Sequence, residues 1–262
     1  MTLDLIWAPF AGAIVGLIVG LTGVGGGALM APILLLGFGL DLQTVVATDL
    51  LFATITKLVA GGMHIRNQLV DWQVVKRLWL GSITATLIIV ALAHQGYLFH
   101  SPDWIIHLLG SLILFSGISL ILGQRLQLSQ KAKRLASPQH FKQVQAPLTT
   151  LAGGILGAFI TMTSVGAGAL GAIFLRTLYP LRMQPKTLVA TDTIHAIPVS
   201  LIGGLSFLIM GYTNLEVLGL LLTGSIPMAL LGSSLIKKIP VNAVKLILAL
   251  ALFLAGLKLI LS

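Results

Sequence analysis

Two short stretches of this sequence could hold an anion with little more than main chain. Thr22-Gly23-Val24-Gly25-Gly26-Gly27 lies inside an otherwise apolar run, and Thr163-Ser164-Val165-Gly166-Ala167-Gly168 nearly copies it 141 residues later. Glycine permits a sharp turn and lets a ligand approach the backbone closely. A helix resuming after each turn, from about Gly26 and about Ala167, offers amide N–H groups without intrahelical acceptors and the positive end of its dipole. Thr22, Thr163 and Ser164 add hydroxyl donors. The alternative use of such glycines is close helix crossing. That alternative is preferred for Gly12, Gly16 and Gly20 and for Gly153 and Gly157. At the two tips a ligand or cavity role is preferred, because packing alone has no need of hydroxyls at a bend.

Four ionisable residues stand apart from the loops: Asp49, Lys57, Asp192 and His195. Charged groups at membrane depth are costly and mark function more often than not. Asp49 and Asp192 are expected about one turn inside helices that begin near Thr44 and Thr187. Each either binds a coupling proton or accepts hydrogen bonds near a helix N-terminus; repulsion of an anionic substrate counts toward the structural role, and both readings stay open. Lys57 reads as a counter-charge for an anion, against the alternative of a snorkelling or Asp-paired lysine. It is about 12 Å from Asp49 along one helix, too far for a direct pair. Its repeat counterpart is Ser200. His195 shares a helix face with Asp192 and is either a proton relay or a packed hydrogen-bonding residue.

The elements that carry these residues follow from composition. The chain has 262 residues, of which 56% are hydrophobic and 9% charged, against about 25% charged in soluble domains. Apolar runs of bilayer-spanning length recur throughout, which makes the chain an all-α polytopic membrane protein. Transmembrane barrels instead alternate in short segments. Cysteine is absent, which removes disulfides, thiol catalysis and thiolate metal sites. No basic residue precedes Lys57, so Leu5–Leu21 is expected to be retained structure rather than a signal peptide. Pro198 and Pro227 fall inside expected helices and should kink them.

Net charge is +9, and fourteen of the sixteen Lys and Arg residues fall in four clusters: 66–77, 125–142, 176–186 and 237–245. Placed on the cytoplasmic side, these clusters force two segments to leave and return on one side. The segments are Leu5–Phe38, bent at Thr22–Gly27, and Ala146–Leu178, bent at Thr163–Gly168. Each half is then a re-entrant helical hairpin followed by three crossings. Those are expected over about 44–62, 73–93 and 104–122, then 186–210, 215–236 and 241–261. An odd crossing count inserts the halves in opposite orientations, as two inverted repeats. The divisions are residues 1–123, a cytoplasmic linker 124–146, and 147–262. The charge is thereby topological, and nucleic acid is not an expected partner.

The repeat is legible in four blocks in one order. Gly16–Met30 matches Gly157–Gly171 at seven of fifteen positions, and Thr44–Asp49 matches Thr187–Asp192 at five of six. Gly81-Ser82-Ile83 returns as Gly224-Ser225-Ile226, and Gly117–Leu122 as Gly256–Leu261. With these blocks, the two tips, the Ala-Thr-Asp steps and the Val70-Asp71-Trp72 turn, the chain resembles the sulfite exporter TauE/SafE family of permeases over essentially its whole length. The resemblance implies transport of small sulfur-containing anions such as sulfite and organosulfonates.

The leading reading is a secondary transporter of such an anion in the prokaryotic cytoplasmic membrane, working by alternating access between the repeats. The anion would lie between the tips near the midplane. An anion channel of the same architecture stays open as the second reading. An enzyme ranks last, since no nucleophile–base pair or His-Glu-x-x-His is present, and the other histidines lack metal-ligand spacing. No cofactor or metal is expected, and no nucleotide-binding loop occurs. The expected partners are the small anion, the bilayer and, as an open alternative, a second copy in a homodimer.

Overall fold

The computed structural model describes residues 2–22, 27–98, 102–136, 138–166, 168–235 and 241–261. These form helices and connecting turns, with no strand among the described residues. In the first half α1 is Thr2–Thr22, α2 is Gly27–Pro32 continued by a π-helical turn Ile33–Gly37, α3 is Leu42–Arg66, α4 is Trp72–His94 and α5 is Pro102–Ala136. In the second half α6 is Pro138–Thr163, α7 is Ala169–Leu178, α8 is Pro185–Ile209, α9 is Leu215–Leu235 and α10 is Val241–Leu261. Six stretches are long and apolar enough to cross a membrane, in α3, α4, α5, α6, α8 and α9. Large apolar side chains stay exposed, among them Trp7 and Phe10 on α1, Leu80 and Ile88 on α4, and Leu250 and Leu254 on α10. A lipid-facing surface accounts for so much exposed apolar area.

The second expected hairpin is broken between α6 and α7, which begins at Ala169; the first expected bend falls on residues 23–26, outside the described residues, and α2 begins at Gly27. Helix α7 starts two residues later than the sequence suggested. Gly166 and Gly168 have φ of +133° and +101°, which no helix accommodates. Helices α3 and α8 start two residues earlier than expected. Asp41 caps α3 by accepting from the Thr44 N–H at 3.1 Å, and Pro185 occupies the first turn of α8, where its missing donor costs nothing. Asp49 and Asp192 consequently lie about two turns inside their helices. Helix α5 has 35 residues and is about 52 Å long. It carries the basic stretch 124–136 as a continuous helical arm. Helices α8 and α9 run through Pro198 and Pro227 without a break.

The halves are interleaved. Helix α1 packs along α9 of the other half and α6 packs along α4, while α3 pairs with α8 and α5 with α10. Small residues make these contacts possible. A Cβ on Gly12 would strike the Leu221 backbone and one on Gly16 that of Ser225. In the reciprocal pair, Gly153 lies on the Leu78 backbone and Gly157 on that of Ser82. The close-crossing reading of these four glycines is correct. At the centre, Gly61 of α3 meets Ile194 of α8, and its counterpart Gly204 meets Leu51.

Gly157→Leu should therefore fail through packing. Its Cβ would sit 2.6 Å from Ser82 Cα, and backbone cannot move aside as a side-chain tip can. A loss of about 3 kcal/mol is expected, read as a lower unfolding temperature in detergent. Gly219→Leu, with nothing within 4 Å of its Cβ position, is the control that leaves that temperature unchanged.

Polar turns also join the halves reciprocally. The Asp71 N–H donates to Thr191 Oγ1 at 3.1 Å, and the equivalent Asn214 N–H donates to Thr48 Oγ1 at 3.1 Å. Both residues cap the next helix, with Asp71 Oδ1 accepting from Val74 N and Asn214 Oδ1 from Val217 N. Only the Asp71 end adds charge. Arg182 Nη2 pairs with Asp71 Oδ2 at 2.7 Å and its Nη1 donates to Gln73 Oε1 at 2.9 Å. Arg77 and Thr149 both meet the Tyr179 hydroxyl, at 3.0 and 2.8 Å.

Candidate functional site

The second tip, α3 and α8 converge on one buried polar cluster. Within the tip, the Thr163 hydroxyl donates to the Phe159 carbonyl at 2.7 Å and accepts from the Val165 N–H at 3.2 Å. It shapes the bend and is not free for a ligand. Ser164 is different. Its φ is +58°, an uncommon backbone state for a residue with a Cβ, and its buried hydroxyl has no hydrogen-bond partner. That hydroxyl faces the Asp49 carboxylate without closing a hydrogen bond. A contact from the second half's tip to the first half's acid was not legible in the sequence. The Gly166 carbonyl accepts from the Gly171 N–H at 3.2 Å and ties the tip to the first turn of α7.

Asp192 closes the start of α7. Its Oδ1 lies against the Gly171 Cα, where any Cβ would collide with it, and that oxygen has no hydrogen-bond partner. A carboxylate so placed balances the positive end of a helix dipole. Part of the anion-binding capacity of this helix end is thus met from within the chain, by an acid on a different helix from the one it caps.

Asp49 has no such support. It is fully buried, and neither carboxylate oxygen has a hydrogen-bond partner. Lys57 is 5% exposed in the middle of α3. Among the described residues no ion pair or hydrogen bond closes on it, and it acts at longer range on Asp192, Asp49 and the His195 ring. The expected absence of a direct Asp49–Lys57 pair agrees with the structure. Around them Thr54 Oγ1 donates to Ser200 Oγ at 3.0 Å across the α3–α8 crossing. His195 is fully buried with both ring nitrogens unpartnered, so it makes no hydrogen bond to Asp192. Its backbone carbonyl instead accepts from Trp79 Nε1 at 3.1 Å.

Of the other named residues, Val165, Gly166 and Gly168 are buried in the second tip. Ala167, and Gly23, Val24, Gly25 and Gly26 of the first tip, lie outside the described residues. Thr22 ends α1 and Gly27 begins α2. Arg176 was grouped with loop cations in the sequence. Because α7 extends to Leu178, Arg176 belongs to the hairpin itself, with its Nε buried and unpartnered.

Buried ionisable groups beside a broken helix are what a transport site requires; comparison with known proteins bears on the family. The model of the sulfite exporter TauE/SafE family matches residues 8–259. The chain belongs to that family. A relative from Bacillus subtilis (strain 168), "Probable membrane transporter protein YjnA", is 34% identical over 251 residues, covering 95% of this chain and 97% of the relative. A second from the same organism, "Probable membrane transporter protein YdhB", is 24% identical over 253 residues, covering 94% and 96%. No solved structure matches. This TauE/SafE protein is thus a multi-pass membrane transporter.

Proposed function

We propose that this TauE/SafE protein is a secondary transporter of a small sulfur-containing anion, such as sulfite or an organosulfonate, in the prokaryotic cytoplasmic membrane. The observation that carries this reading is Lys57: a buried ammonium with no ion pair, at the crossing of the two halves and beside a tip that presents a free Ser164 hydroxyl. A buried ammonium without a direct partner is costly, and an anion between the tips would be that partner. The first tip, with Gly23–Gly27, would meet the anion from the opposite side.

The halves, inserted in opposite orientations, would rock about the α3–α8 crossing. The Arg182–Asp71–Gln73 contacts hold one mouth shut, and the Asn214 end, which has no counterpart of Arg182, opens more readily. Reconstituted protein should exchange internal unlabelled for external labelled methanesulfonate or sulfite, with saturation. Steady ohmic current without saturation would move the assignment to an anion channel, and absence of both would end the anion reading.

A further inference from the structure

We propose that Asp49 binds a proton that travels with the anion, so that the protein is a proton–anion symporter. The proposal rests on the anion reading above and extends it to the coupling ion. It starts from a charge count. Two buried carboxylates, Asp49 and Asp192, share the crossing with one ammonium, Lys57. With both acids ionised and the His195 ring neutral the cluster carries one net negative charge, and an arriving anion makes two. One proton on a carboxylate restores neutrality, and the anion then finds the Lys57 charge unopposed.

Geometry selects which acid takes it. Asp192 lies against the start of α7 at Gly171, where the positive end of the helix dipole favours a carboxylate. Asp49 has two unpartnered oxygens and a fully buried side chain, where a charge has no hydrogen bond to support it. The unpartnered Ser164 hydroxyl, held at positive φ on the tip, is positioned to hydrogen-bond either form of Asp49 after a small shift.

The ionisable and polar groups on the elements packed around Asp49 are few. Its own helix supplies Lys57, with His64 and Arg66 at the far end. Helix α8 supplies Asp192 and His195, the tip supplies Ser164, and α9 offers only the exposed Glu216 in its first turn. Arg176 lies about 10 Å along α7 from that helix's start. A sodium ion fits poorly, because Lys57 already places a cation near both acids. Proton and anion must then raise each other's affinity equally, by on the order of 10–100-fold.

Methanesulfonate is the probe, since the anion of a strong acid carries no proton itself at neutral pH. In liposomes clamped at zero potential, an inward acid step of about one pH unit should accumulate it roughly tenfold, and an internal pH dye should acidify in step. Asp49→Asn should exchange methanesulfonate without pH dependence and accumulate none. If Asp49→Asn does not fold, Asp49→Glu decides: a displaced pH profile of exchange supports the proposal, and a profile superimposed on wild type overturns it. Wild-type exchange without internal acidification overturns the coupling alone, as does accumulation driven by a sodium gradient. Persistent pH-driven accumulation in Asp49→Asn removes Asp49 from the role. No exchange of methanesulfonate, sulfite or thiosulfate by the wild type overturns the anion reading and this proposal with it.

Discussion

Lys57→Met should raise the anion concentration for half-maximal uptake by about 30- to 100-fold while the protein still folds. The side chain is buried in the middle of α3 without a direct partner, so methionine fills nearly the same volume and disturbs no pairing. What disappears is the charge. Truncating one member of a buried charge pair typically costs about 2–5 kcal/mol, and about 1.4 kcal/mol corresponds to tenfold in affinity. The low end applies, because the tips' backbone donors remain. Lys57→Arg should recover part of the loss, limited by the rigid planar head of arginine. Unaltered half-saturation in Lys57→Met would show that the ammonium is not the counter-charge.

The second large effect is expected at the bend. Gly166→Leu should reduce uptake by at least about 100-fold, with a stability loss of about 1–3 kcal/mol from its φ of +133°. A Cβ there would meet Phe159 and Ile160 atoms at 3.5 Å, which is ordinary contact, so the damage comes from backbone conformation and from the bulk placed at the tip. Gly39→Ala separates the two causes. Gly39 also has a positive φ, +63°, with open space around it and no place in the cluster. It should lose comparable stability and keep uptake. Equal transport in Gly166→Leu and wild type would take the second tip out of the mechanism. The same substitution at Gly25, which lies outside the described residues, is expected to abolish uptake as well.

Much of this arrangement was legible before any coordinates. The helices came out within a few residues because hydropathy and helix rise constrain each other. As spans the match is partial: α6, expected as a hairpin arm, is long and apolar enough to cross, and α10, over its described residues, is not among the six that are. The bends were expected because about 32 residues of helix cannot return to their own side without one. What was missed depends on register between distant helices. That Gly12, Gly16, Gly153 and Gly157 admit a close neighbour was readable from their spacing; that the neighbours are α9 and α4 of the opposite halves was not. Likewise Asp192 could be placed near some helix N-terminus, but its meeting with Gly171 is a product of how α8 packs on α7. Thr163 shows a chemical limit. A hydroxyl at a bend serves a ligand or its own backbone equally well in sequence, and here it bonds Phe159 and Val165.

The exchange of first helices between halves bears on how the chain is made. Helix α1 ends at Thr22 and its principal partner α9 begins at Leu215, so about 190 residues must be synthesised between them. At ~5–20 residues per second that is roughly 10–40 s. Through that interval Gly12 and Gly16 await the backbone they are shaped to receive, and α1 has only lipid or the insertion machinery against that face. Helix α6, by contrast, emerges after α4 and docks at once. The two hairpins therefore have unequal biogenesis despite their shared sequence, and α1 is the place where a chaperone or a misplaced neighbour would act.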